Sequence, residues 1–321
     1  MAGPELSVVI PTYNRREILL KTLAAYQQQS CSAEILEILV LDDESTDGTA
    51  EAVAEFSQRA VNHVRYFRLT HRGPAAARNH GIREARGKLL LFADDDIVPS
   101  LHLVAEHLAW HEKYPESFVA VLGLVEWAPE VKPTPFMEWL AKDGVLFAYA
   151  HLSPGESADF RYFYSCNLSL KTAFVRENGM FDEDFKEPAF EDTELSYRLQ
   201  KRGLRALYNP AAVGYHHKFI SFADACRRAK VVARARRVIE TKEAGRFLAE
   251  VERGARQGAE PSRGIKRVVR NFLMPILPSL RPLLDSHIRL PKAIYGNLFY
   301  YYTKERPGLL GGPEKTGGTF T

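Results

Sequence analysis

The chain has 321 residues and a formal net charge of +3, with 45% hydrophobic and 26% charged residues. This length allows one large domain or two ordinary ones, and the composition is that of a globular protein rather than a disordered or fibrous one. There is no run of about 18 apolar residues and no signal-peptide pattern at the start, so we expect neither a membrane span nor secretion. The three cysteines are widely spaced and fit neither a disulfide framework nor a zinc site, which favours a reducing, cytoplasmic compartment.

Strands and helices alternate through the first third of the chain. Helices are expected between the strands, the first capped by Asn14 and the third opened by Pro74. The predicted strands are 7–10, 35–41, 64–69 and 88–93. This alternation is typical of a mostly parallel sheet with right-handed crossovers. No glycine-rich loop follows the first strand, so backbone amides there cannot cradle the phosphates of a nucleotide.

The fourth predicted strand ends in three adjacent carboxylates, Asp94, Asp95 and Asp96. Open α/β sheets place ligands at the carboxyl ends of their strands, and a cation relieves the repulsion between adjacent acids. A metal such as Mg²⁺ or Mn²⁺ on Asp96 would compensate for the missing phosphate loop. Asp42, which ends the second strand, is positioned to accept hydrogen bonds from a nucleoside, and Arg78 could contact phosphates. The alternative for the three acids is a solvated turn, and the alternative for Arg78 is a cation on the surface of a helix.

The middle of the chain carries shorter signals. Residues 128–164 contain several prolines and indicate an irregular loop of the kind that serves a substrate or a partner. Acids begin a later helix at Glu191 and Asp192, where capping by the helix dipole is the alternative to a functional role. The predicted elements are a helix at 99–114, strands at 118–125 and 165–170, and a helix at 190–202.

Two adjacent histidines, His216 and His217, follow a short predicted strand. Neighbouring residues of an extended chain point in opposite directions, so at most one of the two should reach the acidic cluster. A purely structural role for both is the alternative.

The chain after residue 218 is basic, and its apolar residues, such as Phe222 and Cys226, recur at helical spacing. Further basic and aromatic clusters follow at 263–277 and 298–306. Such composition favours contact with an anionic membrane surface, while a solvated helix packed on the preceding domain is the alternative. We expect no nucleic-acid partner. The first basic cluster consists of Arg227, Arg228, Lys230, Arg234, Arg236 and Arg237.

Short motifs along the chain together resemble the family-2 glycosyltransferases of GT-A fold, in the order that this family has. The motifs are SVVIPTYNR at 7–15, DDESTDGT at 42–49, GPAAARNHG at 73–81, FADDD at 92–96, NLS at 167–169, GMFDE at 179–183, EDTEL at 191–195 and YHH at 215–217. The resemblance implies an α/β fold with a GT-A-type, Rossmann-like, mostly parallel sheet flanked by helices. We therefore expect a nucleotide-sugar glycosyltransferase domain over 1–220, followed by a basic, mainly helical C-terminal extension over 221–321.

The resemblance also implies roles for individual residues. Asp192 matches the catalytic base and Asp96 the metal ligand, and His216 matches a position from which some members supply a further ligand to Mn²⁺ or Mg²⁺. Glu44 stands where many members have Gly and Ala93 where many have Leu, and neither departure removes a chemical group. The residues implied on the donor side are Pro11, Tyr13, Asp42, Arg78, Asp94, Asp95 and Asn167. The residues implied on the acceptor side are Trp127, Glu191 and Glu194.

The activity that the resemblance implies is an inverting transfer of a sugar from a nucleoside-diphosphate sugar to an acceptor hydroxyl, in cell-surface polysaccharide or glycolipid synthesis. A saccharide or lipid-linked acceptor and peripheral contact with the cytoplasmic face of a membrane would go with it. A sugar nucleotidyltransferase is one alternative, although it needs a basic, glycine-rich loop where this chain has Pro11 to Asn14. A non-catalytic nucleotide-sugar binder is another, and it would tolerate loss of Asp96 or Asp192.

Overall fold

The computed structural model describes residues 3–142, 146–257, 281–300 and 303. A mixed sheet forms its centre. The strands are β1 (Leu6–Thr12), β2 (Leu36–Asp42), β3 (His63–Arg68), β4 (Leu89–Ala93), β5 (Ile97–Pro99), β6 (Val119–Trp127), β7 (Ser157–Ala158), β8 (Asn167–Lys171) and β9 (Arg205–His216). The helices are α1 (Arg16–Tyr26), α2 (Thr49–Arg59), α3 (Pro74–Glu84), α4 (Leu103–Lys113), α5 (Pro135–Lys142), α6 (Thr172–Asn178), α7 (Glu191–Gln200), α8 (Phe222–Ile239), α9 (Glu243–Gln257), α10 (Arg281–Leu284) and α11 (Lys292–Tyr300).

The strands lie in the order β3, β2, β1, β4, β8, β6, β9 and β5, and β7 pairs with β9. The first four strands are parallel, as predicted. The strand β8 runs antiparallel to both neighbours, whereas β6 and β9 are parallel to each other. The predicted α/β class is confirmed, with an antiparallel strand inserted at the centre of the sheet.

Helices cover both faces of the parallel half. Val8 and Ile10 of β1 pack towards α1 and α4, while Val9 and Phe92 pack on the opposite face with α3. All five residues of β4 are buried, as its unbroken apolar run predicts. The acids that follow β4 are therefore carried by a strand fixed on both sides.

Two local predictions near the amino ends of helices are wrong. Asn14 does not cap α1, because its φ of 51° is left-handed and its Oδ1 accepts a hydrogen bond from the backbone N–H of Thr46 at 2.8 Å. The helix predicted from Pro99 begins at Leu103 instead. Pro99 is instead the last residue of β5, which pairs antiparallel with β9.

The segment 128–164 is more regular than predicted. It contains α5, whose Phe136, Met137 and Leu140 are buried. The Phe136 ring packs edge-on against Phe222 of α8 at 5.3 Å. The apolar residues of α5 also pack with Leu284 and Tyr295, and such packing is what stabilises most helices in proteins.

The basic C-terminal segment begins with the predicted helix. Ser221 and Asp224 form a capping box at the start of α8. Along the helix, Arg234 pairs with Glu187 at 2.6 Å. The cluster predicted at 263–277 and residues 301, 302 and 304–306 lie outside the described residues. Over the described ranges, the longest and most apolar helices fall short of what a membrane crossing requires.

Candidate active site

Acidic residues meet at one edge of the sheet. Thr12 of β1 lies opposite Asp42 of β2, and Val9 lies opposite Phe92 of β4. Asp94 follows β4 directly. Because parallel strands present their carboxyl ends at the same edge, Asp42 and the acids after β4 share this edge, where open α/β sheets bind ligands.

Arg78 joins this edge to the start of α7. Its Nη2 donates to Asp94 Oδ1 at 2.7 Å, and its Nη1 donates to Glu191 Oε1 at 3.1 Å. The residue is only 3% exposed, which excludes the alternative of a surface cation. Burial alone would lower the pKa of Arg78, but Asp94 and Glu191 raise it, so the guanidinium stays charged. One buried cation thus fixes the separation of two carboxylates from different elements.

Asp95 and Asp96 share a second arginine, Arg15. Its Nη1 donates to Asp95 Oδ1 at 2.7 Å, and its Nη2 donates to Asp96 Oδ2. Asp95 also accepts a hydrogen bond from Thr12 Oγ1 at 2.8 Å. Burial raises the pKa of Asp95 to about 7. Both oxygens of Asp95 are engaged inside the protein, so the structure does not turn this side chain towards a donor.

His216 is the histidine that reaches the acidic cluster. Its Nε2 lies 3.4 Å from Asp96 Oδ2, and Lys218 Nζ lies 4.0 Å from the same oxygen. Burial raises the pKa of Asp96, but His216 and the neighbouring cations outweigh burial and hold the pKa below its usual range. His217 points elsewhere, with its Nδ1 3.1 Å from Lys21 Nζ. The prediction that only one of the two histidines reaches the acids is therefore confirmed.

Asp96 and His216 are the pair that fits a divalent cation. Nowhere in the described ranges do three or more His, Cys, Asp or Glu side chains converge as a metal cage. Mg²⁺ and Mn²⁺ commonly take one or two protein donors and complete their shell with substrate phosphates and water. A carboxylate and an imidazole 3.4 Å apart suit that pattern. His216 Nδ1 is buried and has no hydrogen-bond partner within the described chain.

An aromatic surface lies beside this pair. The Trp127 ring stacks on His216 with centroids 5.1 Å apart and an interplanar angle of 11°. Phe147 meets the same imidazole edge-on at 6.3 Å. Trp127 Nε1 is buried and, among the described residues, without a hydrogen-bond partner. Trp127 is half-buried, and an accessible aromatic surface is suited to the apolar faces of a sugar ring.

The acids at the start of α7 are perturbed by burial. Burial and the neighbouring Asp192 raise the pKa of Glu191 to about 7. Burial also raises the pKa of Asp192, whose Oδ1 accepts a hydrogen bond from the backbone N–H of Thr193 at 2.7 Å. The amino end of a helix favours the ionised form of a carboxylate, but for Asp192 desolvation by burial is the larger effect.

Glu194 lies one turn further along α7 and faces another way. Its two oxygens accept hydrogen bonds from Arg198 at 2.7 and 2.8 Å. Arg198 also donates to the carbonyl of Met180 at 2.6 Å. The structure uses this pair to hold α7 against the turn at Met180 and does not bring Glu194 to the aromatic surface.

Asp42 ends β2 beside the residues predicted for the nucleoside. Its Oδ2 accepts a hydrogen bond from the Tyr66 hydroxyl at 2.5 Å and its Oδ1 accepts one from the backbone N–H of Ser45 at 2.8 Å, so both oxygens of this buried side chain are engaged within the protein. Pro11 is buried within β1, and the Tyr13 ring lies 4.5 Å from the ring of His71. Glu44, in the following loop, has a φ of 76°. This left-handed conformation explains why a glycine suits the position in related sequences.

Asn167 belongs to a buried hydrogen-bond chain rather than to the open edge. Lys171 Nζ can only donate, so His111 Nδ1 accepts a hydrogen bond from it at 2.8 Å. His111 Nε2 then donates to Ser169 Oγ at 2.8 Å, and Ser169 donates to His107 Nδ1 at 2.8 Å. His107 Nε2 donates to Asn167 Oδ1 at 2.9 Å. Burial lowers the pKa of His107 to about 4 and that of His111 to about 2, so both rings are neutral.

The amide of Asn167 ends this chain on two backbone carbonyls. Its Nδ2 donates to Leu124 O at 3.0 Å and to Ala212 O at 2.9 Å. A Cβ on Gly123 would lie 2.3 Å from this nitrogen, so the approach requires glycine there. The Asn167 side chain is fully used within the protein, and the structure does not bring it to the donor edge.

Three cations near the acids were not predicted to lie there: Arg15, Lys218 and Arg228, the last of which was expected in the basic cluster that faces a membrane. Arg228 Nη1 is buried with no hydrogen-bond partner in the described ranges, and its charge faces Glu191 and Asp192. Arg15 ends the first motif, and Lys218 directly follows the histidine motif. These two cations could have been expected near the acids, because the motifs beside them meet at this edge of the sheet.

Residues 7–135 match the family described as glycosyl transferase family 2. The chain is 34% identical over 223 residues to validoxylamine A glucosyltransferase of Streptomyces hygroscopicus subsp. jinggangensis (strain 5008). That alignment covers 63% of this chain and 52% of the relative. This chain therefore spans about half the length of that protein.

Two solved structures are similar over most of the chain. S. aureus TarS 1-349 in complex with UDP-GlcNAc has a TM-score of 0.56 at 18% identity, covering 95% of this chain and 92% of that one. The mannosyltransferase PcManGT from Pyrobaculum calidifontis, in complex with GDP-Man and Mn²⁺, has a TM-score of 0.55 at 18% identity, covering 95% and 89%. Such likeness establishes the fold, and it confirms the predicted GT-A architecture.

Proposed function

We propose that the chain is an inverting glycosyltransferase of family 2, since residues 7–135 match that family and the fold is that of the GT-A enzymes TarS and PcManGT. It moves a sugar from a nucleoside-diphosphate sugar to an acceptor hydroxyl. The glucosyltransferase relative and the nucleotide-sugar complexes of TarS and PcManGT support this substrate class.

The observation that carries the proposal is the Arg78 bridge between Asp94, at 2.7 Å, and Glu191, at 3.1 Å. It keeps the donor edge of the sheet next to the start of α7. Arg78 engages Glu191, whereas the neighbouring Asp192 accepts a hydrogen bond from the backbone N–H of Thr193. Burial raises the pKa of both acids, but only Glu191 has an oxygen engaged in a hydrogen bond from Arg78. We therefore assign Asp192 as the base.

The donor binds along the edge, with Asp42 at the nucleoside and Asp94 at the ribose or sugar. A divalent cation held by Asp96 and His216 would stabilise, as a Lewis acid, the charge that develops on the leaving diphosphate. Mn²⁺ accompanies GDP-Man in PcManGT, which supports Mn²⁺ or Mg²⁺ as the ion in this protein. Chelation should then abolish donor binding.

Inversion follows from the use of one base and no protein nucleophile. Asp192 accepts the proton of the acceptor hydroxyl, and the hydroxyl oxygen attacks the anomeric carbon from the face opposite the diphosphate. The bond to the diphosphate breaks as the new glycosidic bond forms. Proton removal of this kind contributes roughly 10²–10⁴ to the rate.

The acceptor is a saccharide or a lipid-linked sugar, and it lies against the Trp127 surface. We assign the enzyme to cell-surface polysaccharide or glycolipid synthesis at the cytoplasmic face of a membrane. Exposed cations of α8 such as Lys230 and Arg237 would contact anionic lipid. We place the end of the nucleotide-sugar domain at about residue 220, and the capping box of Ser221 and Asp224 at the start of α8 supports this boundary.

A thermal-shift panel with Mn²⁺ tests the proposal. A ligand that binds only the folded state raises the melting temperature according to its affinity. The panel contains UDP, GDP, UDP-glucose, UDP-GlcNAc and GDP-mannose, and one nucleotide family should stabilise the protein. Release of the matching nucleoside diphosphate with a saccharide acceptor should follow. Consumption of a nucleoside triphosphate with a sugar phosphate would instead identify a nucleotidyltransferase.

A further inference from the structure

The diphosphate of the proposed donor needs cations that the fold does not supply through a glycine-rich loop. Arg78, the cation expected from the sequence, is buried and engaged by Asp94 and Glu191. Releasing it would leave two acids uncompensated, because the proposed metal site does not include Asp94 or Glu191. The cations of the diphosphate site must therefore be sought elsewhere on the edge.

Three cationic or potentially cationic side chains converge on one oxygen, Asp96 Oδ2. Arg15 Nη2 donates to it, His216 Nε2 lies 3.4 Å away, and Lys218 Nζ lies 4.0 Å away. Arg15 also holds Asp95 through Nη1 at 2.7 Å. The charge of this group is thus concentrated where the leaving diphosphate would develop its own.

Arg15 and a divalent cation compete for the same atom. A metal shared by Asp96 and His216 would bind at Asp96 Oδ2, which lies 3.4 Å from His216 Nε2. Arg15 now holds this oxygen, and two cations at one carboxylate oxygen repel each other. A guanidinium displaced within this half-buried site needs a new anionic partner. Diphosphate oxygens provide one, and a guanidinium binds them with two parallel hydrogen bonds.

We propose that Arg15 exchanges partners when the donor binds: it holds Asp95 and Asp96 in the ligand-free protein, and it binds the diphosphate together with Lys218 once a divalent cation occupies Asp96. This inference rests on the metal site of the proposed function. According to this proposal Arg15 weakens the binding of the metal and strengthens the binding of the diphosphate.

The test measures binding of Mn²⁺ and of inorganic pyrophosphate, so it needs no knowledge of the donor base or sugar. Free Mn²⁺ is quantified by electron paramagnetic resonance, and pyrophosphate binding in the presence of Mn²⁺ is measured by isothermal titration calorimetry. The variants are Arg15→Gln, Arg15→Lys and Lys218→Gln. Arg16→Gln is the matched control, because Arg16 is the next residue and bonds to Asp47 instead.

Arg15→Gln should bind Mn²⁺ alone more tightly than the wild type and bind pyrophosphate more weakly, each by roughly 10- to 100-fold, the range of one lost charge-assisted contact. Lys218→Gln should shift both affinities in the same directions but less for Mn²⁺, because its Nζ is 4.0 Å from Asp96. Arg15→Lys keeps the charge without the bidentate geometry and should fall between wild type and Arg15→Gln. Arg16→Gln should change neither affinity.

Opposite shifts for the two ligands separate the proposal from a general loss of structure, which would weaken both. Mn²⁺ and pyrophosphate affinities in Arg15→Gln equal to those of the wild type would overturn the exchange, as would weaker binding of both ligands. Asp96→Asn tests the premise separately. If Asp96→Asn leaves Mn²⁺ affinity unchanged, the metal site of the proposed function fails. If Asp96→Asn abolishes Mn²⁺ binding while Arg15→Gln has no effect, only the exchange fails.

Discussion

Replacing Asp192 by Asn should lower turnover by roughly 10²–10⁴, because the variant keeps the shape of the side chain but cannot accept the proton. This corresponds to about 3–5 kcal/mol of transition-state stabilisation. The fold should tolerate the change. The Asn Oδ1 can accept the hydrogen bond that Asp192 receives from the Thr193 N–H at 2.7 Å.

Stability should not fall with activity. Burial raises the pKa of Asp192 above its usual value, so ionisation is less favourable in the folded protein than in the unfolded chain. A raised carboxyl pKa costs stability above that pKa, and the neutral Asn removes the cost. The melting temperature at pH 7 should therefore stay the same or rise.

The assay compares the initial rate of nucleoside-diphosphate release, nucleotide affinity by calorimetry, and melting temperature. Glu191→Gln is the informative comparison, because it breaks the 3.1 Å ion pair with the buried Arg78 and should lower both stability and donor affinity. Asp184→Asn, at an exposed acid bonded to Lys242, is the control and should behave as wild type. Near wild-type turnover in Asp192→Asn would refute the assignment and make Glu191 the candidate base. Loss of turnover explained by a lower melting temperature would refute it as well.

Three further predictions address the metal, the buried histidines and the basic helix. His216→Ala should weaken Mn²⁺-dependent donor binding by roughly tenfold or more, because it removes a proposed metal ligand, whereas His217→Ala should not. A larger loss of affinity in His217→Ala, measured by calorimetry, would contradict the choice of His216 as the ligand. Burial lowers the pKa of His107 to about 4 from 6.5, so the free energy of unfolding should decrease as the pH drops below 6.5, by roughly 2 kcal/mol between pH 7 and pH 5; urea unfolding at these two pH values measures it, and equal stability at both would disprove it. The double variant Lys230→Glu and Arg237→Glu should reduce co-sedimentation with anionic vesicles at low salt, and unchanged sedimentation, or none for the wild type, would reject the membrane contact.

The positions of the acids could be predicted from the sequence because they depend on local pattern. The apolar run before Asp94 is short enough to be a strand buried on both faces, and this fixes where its carboxyl end lies. The alternation of His216 and His217 follows from strand geometry alone. These inferences need no knowledge of which distant segments pack nearby.

The partners of the acids could not be predicted, because they come from remote parts of the chain. Arg15 lies 80 residues from Asp95, and spacing carries no information about such a contact. The repulsion among the acids predicts a bound cation. In the structure the guanidinium of Arg15 compensates part of this negative charge, because it bonds to both Asp95 and Asp96. For the same reason α5 was missed, since Phe136 is stabilised by Phe222 of the C-terminal helix.

The position of His216 depends on a register shift between β6 and β9. Gly123 of β6 pairs with Asn209 of β9, but the next residue, Leu124, pairs with Val213, so residues 210–212 form a bulge. In an unshifted register Trp127 would lie opposite Val213, whereas the bulge brings it opposite His216. A shift by an odd number of residues also turns the side chains after it to the other face.

The amide of Asn167 fixes this bulge, because it binds the carbonyls of Leu124 and Ala212 on both sides of the shift. The chain from Lys171 through His111, Ser169 and His107 in turn fixes the orientation of that amide. The motif at 167–169 therefore acts on the candidate metal ligand through backbone register rather than by touching a donor. A sequence motif can indicate that a residue matters to a site, but the hydrogen bonds of the fold decide how it does so.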